Sequence, residues 1–230
     1  MKKDEIQALF NRIAPVYDQL NQNLSLGQHK IWKRMAVKWS EANTGDTALD
    51  LCCGSGDLAH LLAKQVGITG KVYGVDFAQA QLAIAKAKAQ KILPLHHFGW
   101  IEADVLHLPF ADNYFNCATM GYGLRNVVDI SQCLSELYRV LQPEAKAAIL
   151  DFHRPYDNFW RNFQQFYLDY LVVPLAQSQG LKEEYAYISP SLDRFPQGKE
   201  QIALAKSLKF REAIHYPLVG GTMGVLVLTK

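Results

Sequence analysis

Three short apolar runs restrict this chain more than any other feature does. Each closes on a Gly or an acid, and each is parted from the next by a segment of helical spacing. The runs are Thr47–Cys52, Lys71–Asp76 and Phe98–Asp104; each predicts a strand of about six residues. Asp57–Val66 lies between the first two, has helical spacing and stops at Gly67. Ala78–Lys91 lies between the second and third, is built from the strong helix formers Ala, Gln, Leu and Lys, and is closed off by Pro94. Strand and helix alternating in this way pack as right-handed βαβ units around a parallel sheet.

The alternation runs on. Phe115–Gly121 predicts a fourth strand, Ile130–Leu141 a helix stopped by Pro143, and Ala147–Phe152 a fifth strand. A helix near Lys199–Leu208 follows, then strands near Phe210–Tyr216 and Thr222–Thr229. Val219-Gly220-Gly221 between those last two is hairpin-like, so one of them should run antiparallel. A single domain over residues 1–230 is expected, a length that leaves no room for two ordinary ones. Residues 1–46 read as a helical N-terminal cover. Residues 153–198 read as an inserted lid over an apolar pocket, because the stretch 156–195 alone holds ten aromatic residues. A helix packed tightly into the core is the plainer alternative for that segment.

Charge excludes one class of partner. With a formal net charge of +2 and no basic block or stripe, the chain has no footprint for nucleic acid. The N-terminus opens on charge, without the apolar run of a signal peptide, and the longest apolar runs are too short to span a bilayer. A cytoplasmic protein, or one peripheral on a membrane surface, is expected. Cys52, Cys53, Cys117 and Cys133 form no C-x-x-C pair, so no metal site is expected and they read as small buried hydrophobes.

Chemistry concentrates on the loop Asp50-Leu51-Cys52-Cys53-Gly54-Ser55-Gly56-Asp57. Gly54 and Gly56 allow a sharp turn and the close approach of a ligand, and the helix that follows offers free N–H groups to an anion. That anion is a pyrophosphate in a dehydrogenase and the methionine carboxylate in a methyltransferase. Asp76 falls 20 residues after Gly56, the spacing at which a carboxylate takes ribose hydroxyls; capping the next helix is its compatible plain role. Asp104 closes the third strand, where it can accept from an adenine amino group. With Asp50 or Asp57 near the methionine end, the site is expected to be lined by carboxylates, with no Arg or Lys beside the loop. That suits a cationic sulfonium and would repel a pyrophosphate. S-adenosylmethionine (SAM) is therefore the expected cofactor. The fold expected is α/β, the Rossmann-like class I SAM-dependent methyltransferase architecture: a seven-stranded, mostly parallel sheet with a terminal antiparallel hairpin.

Further motifs resemble one family. The loop with Leu58, the segment Leu108-Pro109-Phe110-Ala111-Asp112-Asn113-Tyr114-Phe115 and the element Gly123-Leu124-Arg125-Asn126-Val127 are similar to the quinone-biosynthesis C-methyltransferases, which act on demethyl precursors of menaquinone, ubiquinone and phylloquinone. So are the opening Phe10-Asn11-Arg12-Ile13-Ala14-Pro15-Val16-Tyr17-Asp18 and the late Tyr185-Ala186-Tyr187-Ile188-Ser189-Pro190-Ser191 with Phe195-Pro196. The double cysteine, Met120-Gly121-Tyr122, and the tail His215-Tyr216 with Gly220-Gly221-Thr222-Met223-Gly224 look like the phylloquinone branch. There are departures. Gln142-Pro143-Glu144-Ala145 stands for the usual Lys-Pro-Gly-Gly, and Asp151-Phe152-His153-Arg154-Pro155 for Glu-Phe-Ser-Lys-Pro. Gly121 stands where other members often carry Ser, which removes a side-chain contact from that point.

The resemblance places SAM contacts on Ser55, Asp76, Asp104 and Val105, with Gly54 and Gly56 shaping the loop; Asp50, Phe77 and Gly121 complete the expected cofactor site. It implies C-methylation of a reduced prenylated naphthoquinone, 2-phytyl-1,4-naphthoquinol. Demethylmenaquinol or a ubiquinone precursor is the alternative acceptor, and a small-molecule O- or N-methyltransferase a more distant one. Deprotonating a ring hydroxyl makes the adjacent carbon nucleophilic, and the enzyme must orient the ring and exclude water. Arg125 is too basic to act as a simple base and is expected to stabilise the developing phenolate, with Asn126 orienting the ring or loop. An Arg paired with a structural carboxylate is the plainer reading. His153 is a candidate general base, since its pKa range suits the task, although a lone His is more often structural. Tyr17 and Asp18 are expected to help close the pocket. A lipophilic quinol partner implies peripheral membrane contact through residues 156–175, where Phe159, Trp160, Phe163, Phe166, Tyr167 and Tyr170 recur at roughly helical spacing. A homodimer is left open as the assembly.

Overall fold

Each strand of the sheet is fixed by what its two faces must bury. The computed structural model describes residues 3–15, 22, 25, 27–177 and 187–230. Its seven strands are β1 (Thr47–Leu51), β2 (Lys71–Asp76), β3 (His97–Glu102), β4 (Phe115–Gly121), β5 (Leu141–Phe152), β6 (Glu212–Leu218) and β7 (Met223–Thr229), in the spatial order β3-β2-β1-β4-β5-β7-β6. β1 pairs in parallel with β2 and β4, and β7 runs antiparallel to both β5 and β6. The expected terminal hairpin is present, and β7 is its reversed strand.

Helices cover both faces. On one side lie α1 (Lys3–Ile13), α2 (His29–Trp39), α3 (Asp57–Val66) and α4 (Gln79–Ile92); the other side carries α5 (Ile130–Val140) and, further along the chain, the helix over Gly198–Ser207. Leu49 and Leu51 of β1 join the core shared with Leu134 and Leu137 of α5, while Ala48 packs with Leu58, Leu62 and Val66 of α3. Burial on both faces is why these strands read as unbroken apolar runs.

Between β5 and the last helix come α6 (Asn158–Tyr167), a π-helical turn (Leu168–Val172), α7 (Val173–Gln177) and α8 (Ile188–Arg194). The final helix, Gly198–Ser207, is then α9. Leu168, Val172 and Leu192 pack on Leu9 and Ile13 of α1, so the insertion and the N-terminal helix share a small core of their own.

Two boundaries differ from expectation for local reasons. α5 passes straight into β5 at Leu141, six residues before the expected strand, and the Gln142–Ala145 stretch is a bulge within that strand rather than a turn. Register slips between Phe115↔Leu141 and Cys117↔Lys146, Glu144 takes φ +68°, and its N–H donates to the Lys230 carbonyl. The edge strand β6 starts at Glu212, because Phe210 is buried against the Tyr138 ring at 5.1 Å.

Glycines set the aromatic packing of β2 on β3. Tyr73 lies opposite Gly99 and Gly74 opposite Trp100, so each ring covers its neighbour's glycine. A Cβ at Gly74 would stand 2.5 Å from the Trp100 ring and 3.0 Å from Cys53 Sγ. Gly74→Ala should therefore lower stability by about 1–3 kcal/mol through overpacking, read as a lower urea midpoint at unchanged m-value. An unshifted midpoint would show that the ring yields without cost.

Candidate active site

The spatial strand order reverses at β1, whose neighbours β2 and β4 lead away in opposite directions, and ligands of open α/β sheets bind at that point beyond the strands' C-terminal ends. Here the chain leaves β1 with Cys52 at φ +49°, Gly54 at +52° and Gly56 at +88°. Gly56 ends the turn as the N-cap of α3, and a Cβ there would meet Ala85 Cβ at 2.9 Å. Backbone bonds hold the loop in place. Gly54 N–H donates to Asp76 Oδ2 at 2.8 Å, Cys53 N–H to the Val75 carbonyl at 3.0 Å, and Ala59 N–H to Asp50 Oδ2 at 2.9 Å.

Asp50 also accepts from the Thr119 hydroxyl at 2.8 Å and is 1% exposed. It underpins the loop from below and does not line the cavity above it. Burial, only partly offset by Thr119, the Ala59 N–H and Lys33, pushes its carboxyl up to about 7. Burial likewise pushes the Cys52 and Cys53 thiols well up.

A first cavity opens above the loop, lined by Gly54, Asp76, Phe77, Asp104, Val105 and Gly121, with apolar walls from Ile6, Phe10, Val127 and Val128. Asp76 takes the Ala78 N–H on its second oxygen at 2.9 Å, and burial raises its pKa. Asp104 sits two residues past the end of β3 and accepts from Leu106 N–H at 3.0 Å. Ser55 is buried within the loop and does not reach this lining. A Cβ at Gly121 would come 2.7 Å from Leu58 Cδ1. Gln81, unnoticed in the sequence because it lies in a helix rich in Ala and Lys, adds a buried Oε1 without a partner to this wall. Two carboxylates, an orphaned acceptor, flat apolar walls and no lining cation together suit an adenosine with a positive sulfonium.

One expectation fails beside the loop. Lys33 of α2 reaches it and donates to Asp57 Oδ2 at 2.7 Å, with Lys88 of α4 3.7 Å from the other oxygen. Lys33 falls on the buried face of α2 with Ala36 and Val37, at i+3 and i+4, so the helical spacing carried the signal.

A second cavity of about 360 Å³ adjoins the first, and Phe10, Tyr122 and Asn126 line both. Its walls are mainly apolar: Leu9 and Ile13 of α1, Trp32 of α2, and Phe163, Tyr167, Leu168, Val172, Ile188 and Leu192 of the insertion. Arg125 lies in this wall, in a short 3-10 turn after β4. Its Nη1 donates to Asp151 Oδ1 at 2.7 Å and to the Tyr122 carbonyl at 2.8 Å, while its backbone N–H donates to Asp151 Oδ2 at 3.0 Å. Arg125 is thus ion-paired to Asp151, as its plainer reading has it, and it also lines the second cavity. Its Nε is buried without a partner. Asn126 Nδ2 donates to the same Tyr122 carbonyl at 3.2 Å.

His153, the expected candidate base, lines neither cavity. Its Nε2 lies 3.2 Å from Nε2 of His215, its ring packs on Phe195 at 5.0 Å, and burial, then His215 and Arg125, push its pKa down to about 3. It is placed as a structural histidine, packed under the Cα of Gly224. Tyr17 and Asp18 lie outside the described residues.

The profile of the ubiE/COQ5 methyltransferase family matches residues 1–230. The chain belongs to this family. The methyltransferase is 64% identical over 227 residues to a Trichormus variabilis protein and 66% identical over 227 residues to one from Nostoc punctiforme, with 99% of each chain covered in both cases; both are named 2-phytyl-1,4-naphtoquinone methyltransferase. It is 50% identical over 230 residues to a chloroplastic Arabidopsis thaliana protein named 2-phytyl-1,4-beta-naphthoquinone methyltransferase, covering 99% of this chain and 88% of that one. The fold of the methyltransferase is shared with a SAM-dependent methyltransferase from Aquifex aeolicus, with TM-score 0.65, 19% identity, and 92% and 97% of the two chains covered.

Asp50 provides a test of the loop's foundation. Its folded pKa of about 7 lies above that of an unfolded aspartate. The folded state therefore keeps a proton that the unfolded chain releases between about pH 4 and this value, and stability falls as pH rises through that window. The isosteric Asp50→Asn lacks this loss. The urea-derived stability of wild type minus variant should decline across the window and level off above it; a difference independent of pH would refute the raised pKa.

Proposed function

We propose that this methyltransferase moves the methyl group of SAM to a ring carbon of reduced 2-phytyl-1,4-naphthoquinone. The observation that carries the reading is the meeting of the two cavities at Tyr122 and Asn126, with Arg125 beside the junction. The names of the relatives with 64–66% identity support the choice of acceptor. When bound, SAM supplies an electrophilic methyl group on a sulfonium. Asp76 and Gly54 would hold its ribose end, and Phe77, Asp104 and Val105 would flank the base. The chain's work on the acceptor is orientation, charge stabilisation and exclusion of water.

A quinol bound against Tyr122 presents a ring oxygen toward Arg125. As that hydroxyl gives up its proton, the guanidinium stabilises the phenolate and the adjacent carbon becomes the nucleophile. The ion pair with Asp151 fixes the guanidinium's plane, and Asn126, bonded to the same carbonyl, fixes the turn. His153 lines neither cavity, so the proton passes to another group; His29 is the imidazole in the second cavity's wall. The quinone form lacks this nucleophile, so a reduction precedes the step.

The acceptor's tail belongs to lipid, and the lid supplies a surface for contact with it. Trp160 and Tyr167 turn inward, whereas Tyr156, Phe159, Phe166 and Tyr170 face outward, with Phe159 70% and Tyr170 71% exposed. Phe163 is both half exposed and part of the cavity wall, which joins the outer aromatic face to the acceptor site. Among the described residues no helix is long and apolar enough to cross a membrane. Contact of this kind is peripheral, through the headgroup boundary.

Labelled SAM offered with reduced demethylnaphthoquinones and demethoxybenzoquinones should label ring carbon in the prenylated naphthoquinol alone. Label on oxygen, or only in a benzoquinone, would overturn the assignment. Arg125→Gln should lower kcat by on the order of 10² to 10³ with KM little changed; a raised KM with kcat unchanged would make Arg125 a binding residue. In liposome flotation, wild type should rise with the vesicles while the Phe159→Ser, Phe166→Ser double variant stays behind. Equal behaviour of the two would remove the lid from the contact.

A further inference from the structure

The methionine end of the cofactor carries a carboxylate, and the site described so far is acidic. Asp50, Asp57, Asp76 and Asp104 surround the loop, so a second anion there needs a cation of its own. Lys33 is the only buried lysine among the described residues. Its ammonium is held at the point where the loop enters α3, 2.7 Å from Asp57 Oδ2 and 5.7 Å from the centroid of the Tyr122 ring, which lines both cavities. An ammonium has three N–H donors, and one is taken by Asp57. The N-terminus of α3 beside it has its positive dipole end at the same place, and Ala59 N–H there is already committed to Asp50.

We propose that Lys33 binds the carboxylate of the cofactor's amino-acid end, with Asp57 holding the ammonium in position. Lys33 would thus give α2, packed into the core through Ala36 and Val37, a direct part in cofactor binding. This role would also explain why a buried cation is tolerated just behind a wall that has none: the burial cost of an ammonium is met by Asp57 before binding and by two carboxylates after it. This inference rests on SAM being the ligand of the first cavity.

Two ligands that differ only at the carboxylate separate Lys33 from general loss of the site: S-adenosylhomocysteine and its decarboxylated analogue, each titrated calorimetrically. Wild type should bind S-adenosylhomocysteine more tightly by on the order of ten- to a hundredfold. Lys33→Gln should bring that ratio close to one by weakening S-adenosylhomocysteine alone, and Lys33→Arg should restore most of it. If Lys33→Gln melts too early to titrate, Lys33→Met, which keeps the packed stem, repeats the measurement. Equal weakening of both ligands would make Lys33 a strut between α2 and α3 and overturn the proposal. So would an unchanged ratio. Failure of wild type to bind either adenosyl compound would instead sink the SAM reading itself.

Discussion

Buried carboxylates at the C-terminal edge of the sheet hold the loops that make this site. Asp50 on β1 takes the Ala59 N–H, Asp76 on β2 takes those of Gly54 and Ala78, and Asp151 on β5 takes that of Arg125. Each is at most 5% exposed, and each binds a backbone donor that has no partner within its own helix or strand. Loops over a sheet are ordinarily its least ordered part. Here three of them are tied to the rigid strands by charge-assisted bonds, so the ligand walls inherit the sheet's geometry. The acids therefore serve twice, first as foundations and then, at Asp76, as part of the lining.

The same arrangement brings two chemically different spaces together. The first cavity has acids and glycines at its floor; the second is mainly apolar, with His29, Arg125, Asn126 and Gln164 among its few polar groups. They meet where β4 ends, and there Tyr122 takes φ +62° so that its carbonyl can receive both Arg125 and Asn126. Gly123 follows because a Cβ at that position would fall 2.5 Å from Cys52 Cβ. The double-cysteine loop and the Gly-Leu-Arg-Asn element are thus two sides of one contact, which gives a packing reason for their occurring together in this chain.

Much of this was legible in the sequence. β2, β4 and α3 begin and end where hydrophobic run and breaker residues place them, because these elements are fixed by local pattern and by burial on two faces. The acids closing β1 and β2 were visible through their spacing from the glycines. What escaped notice depends on contacts distant in sequence. Lys33 lies 24 positions before Asp57, and Asp151 lies 26 after Arg125, so no local rule pairs them. His153 was misjudged because a histidine at a strand's end looks the same whether its ring enters the cavity or turns away, and His215 from β6 decides the matter. Pro143 marks a helix stop in the sequence, but nothing there shows the strand resuming at once; Glu144 N–H bonding to the Lys230 carbonyl, 86 residues on, decides that.

One departure from the family pattern, Arg154, and the distinctive tail meet at the lid's anchorage. Arg154, where other members carry Lys, donates to Asp193, Gln164 and Ser189, and so joins the end of β5 to α6 and α8 in one buried node. Gly220 has the Trp160 ring 2.2 Å from where a Cβ would stand, seating α6 on the terminal hairpin. Gly224 leaves room in the same way for the His153–His215 pair. A lysine at 154 would lack the guanidinium's three spread nitrogens, each of which bonds a different partner here, and a side chain at 220 would push Trp160 off its seat. Phe163, Tyr167, Ile188 and Leu192 in the second cavity's wall are therefore held where they are by how the insertion is fastened.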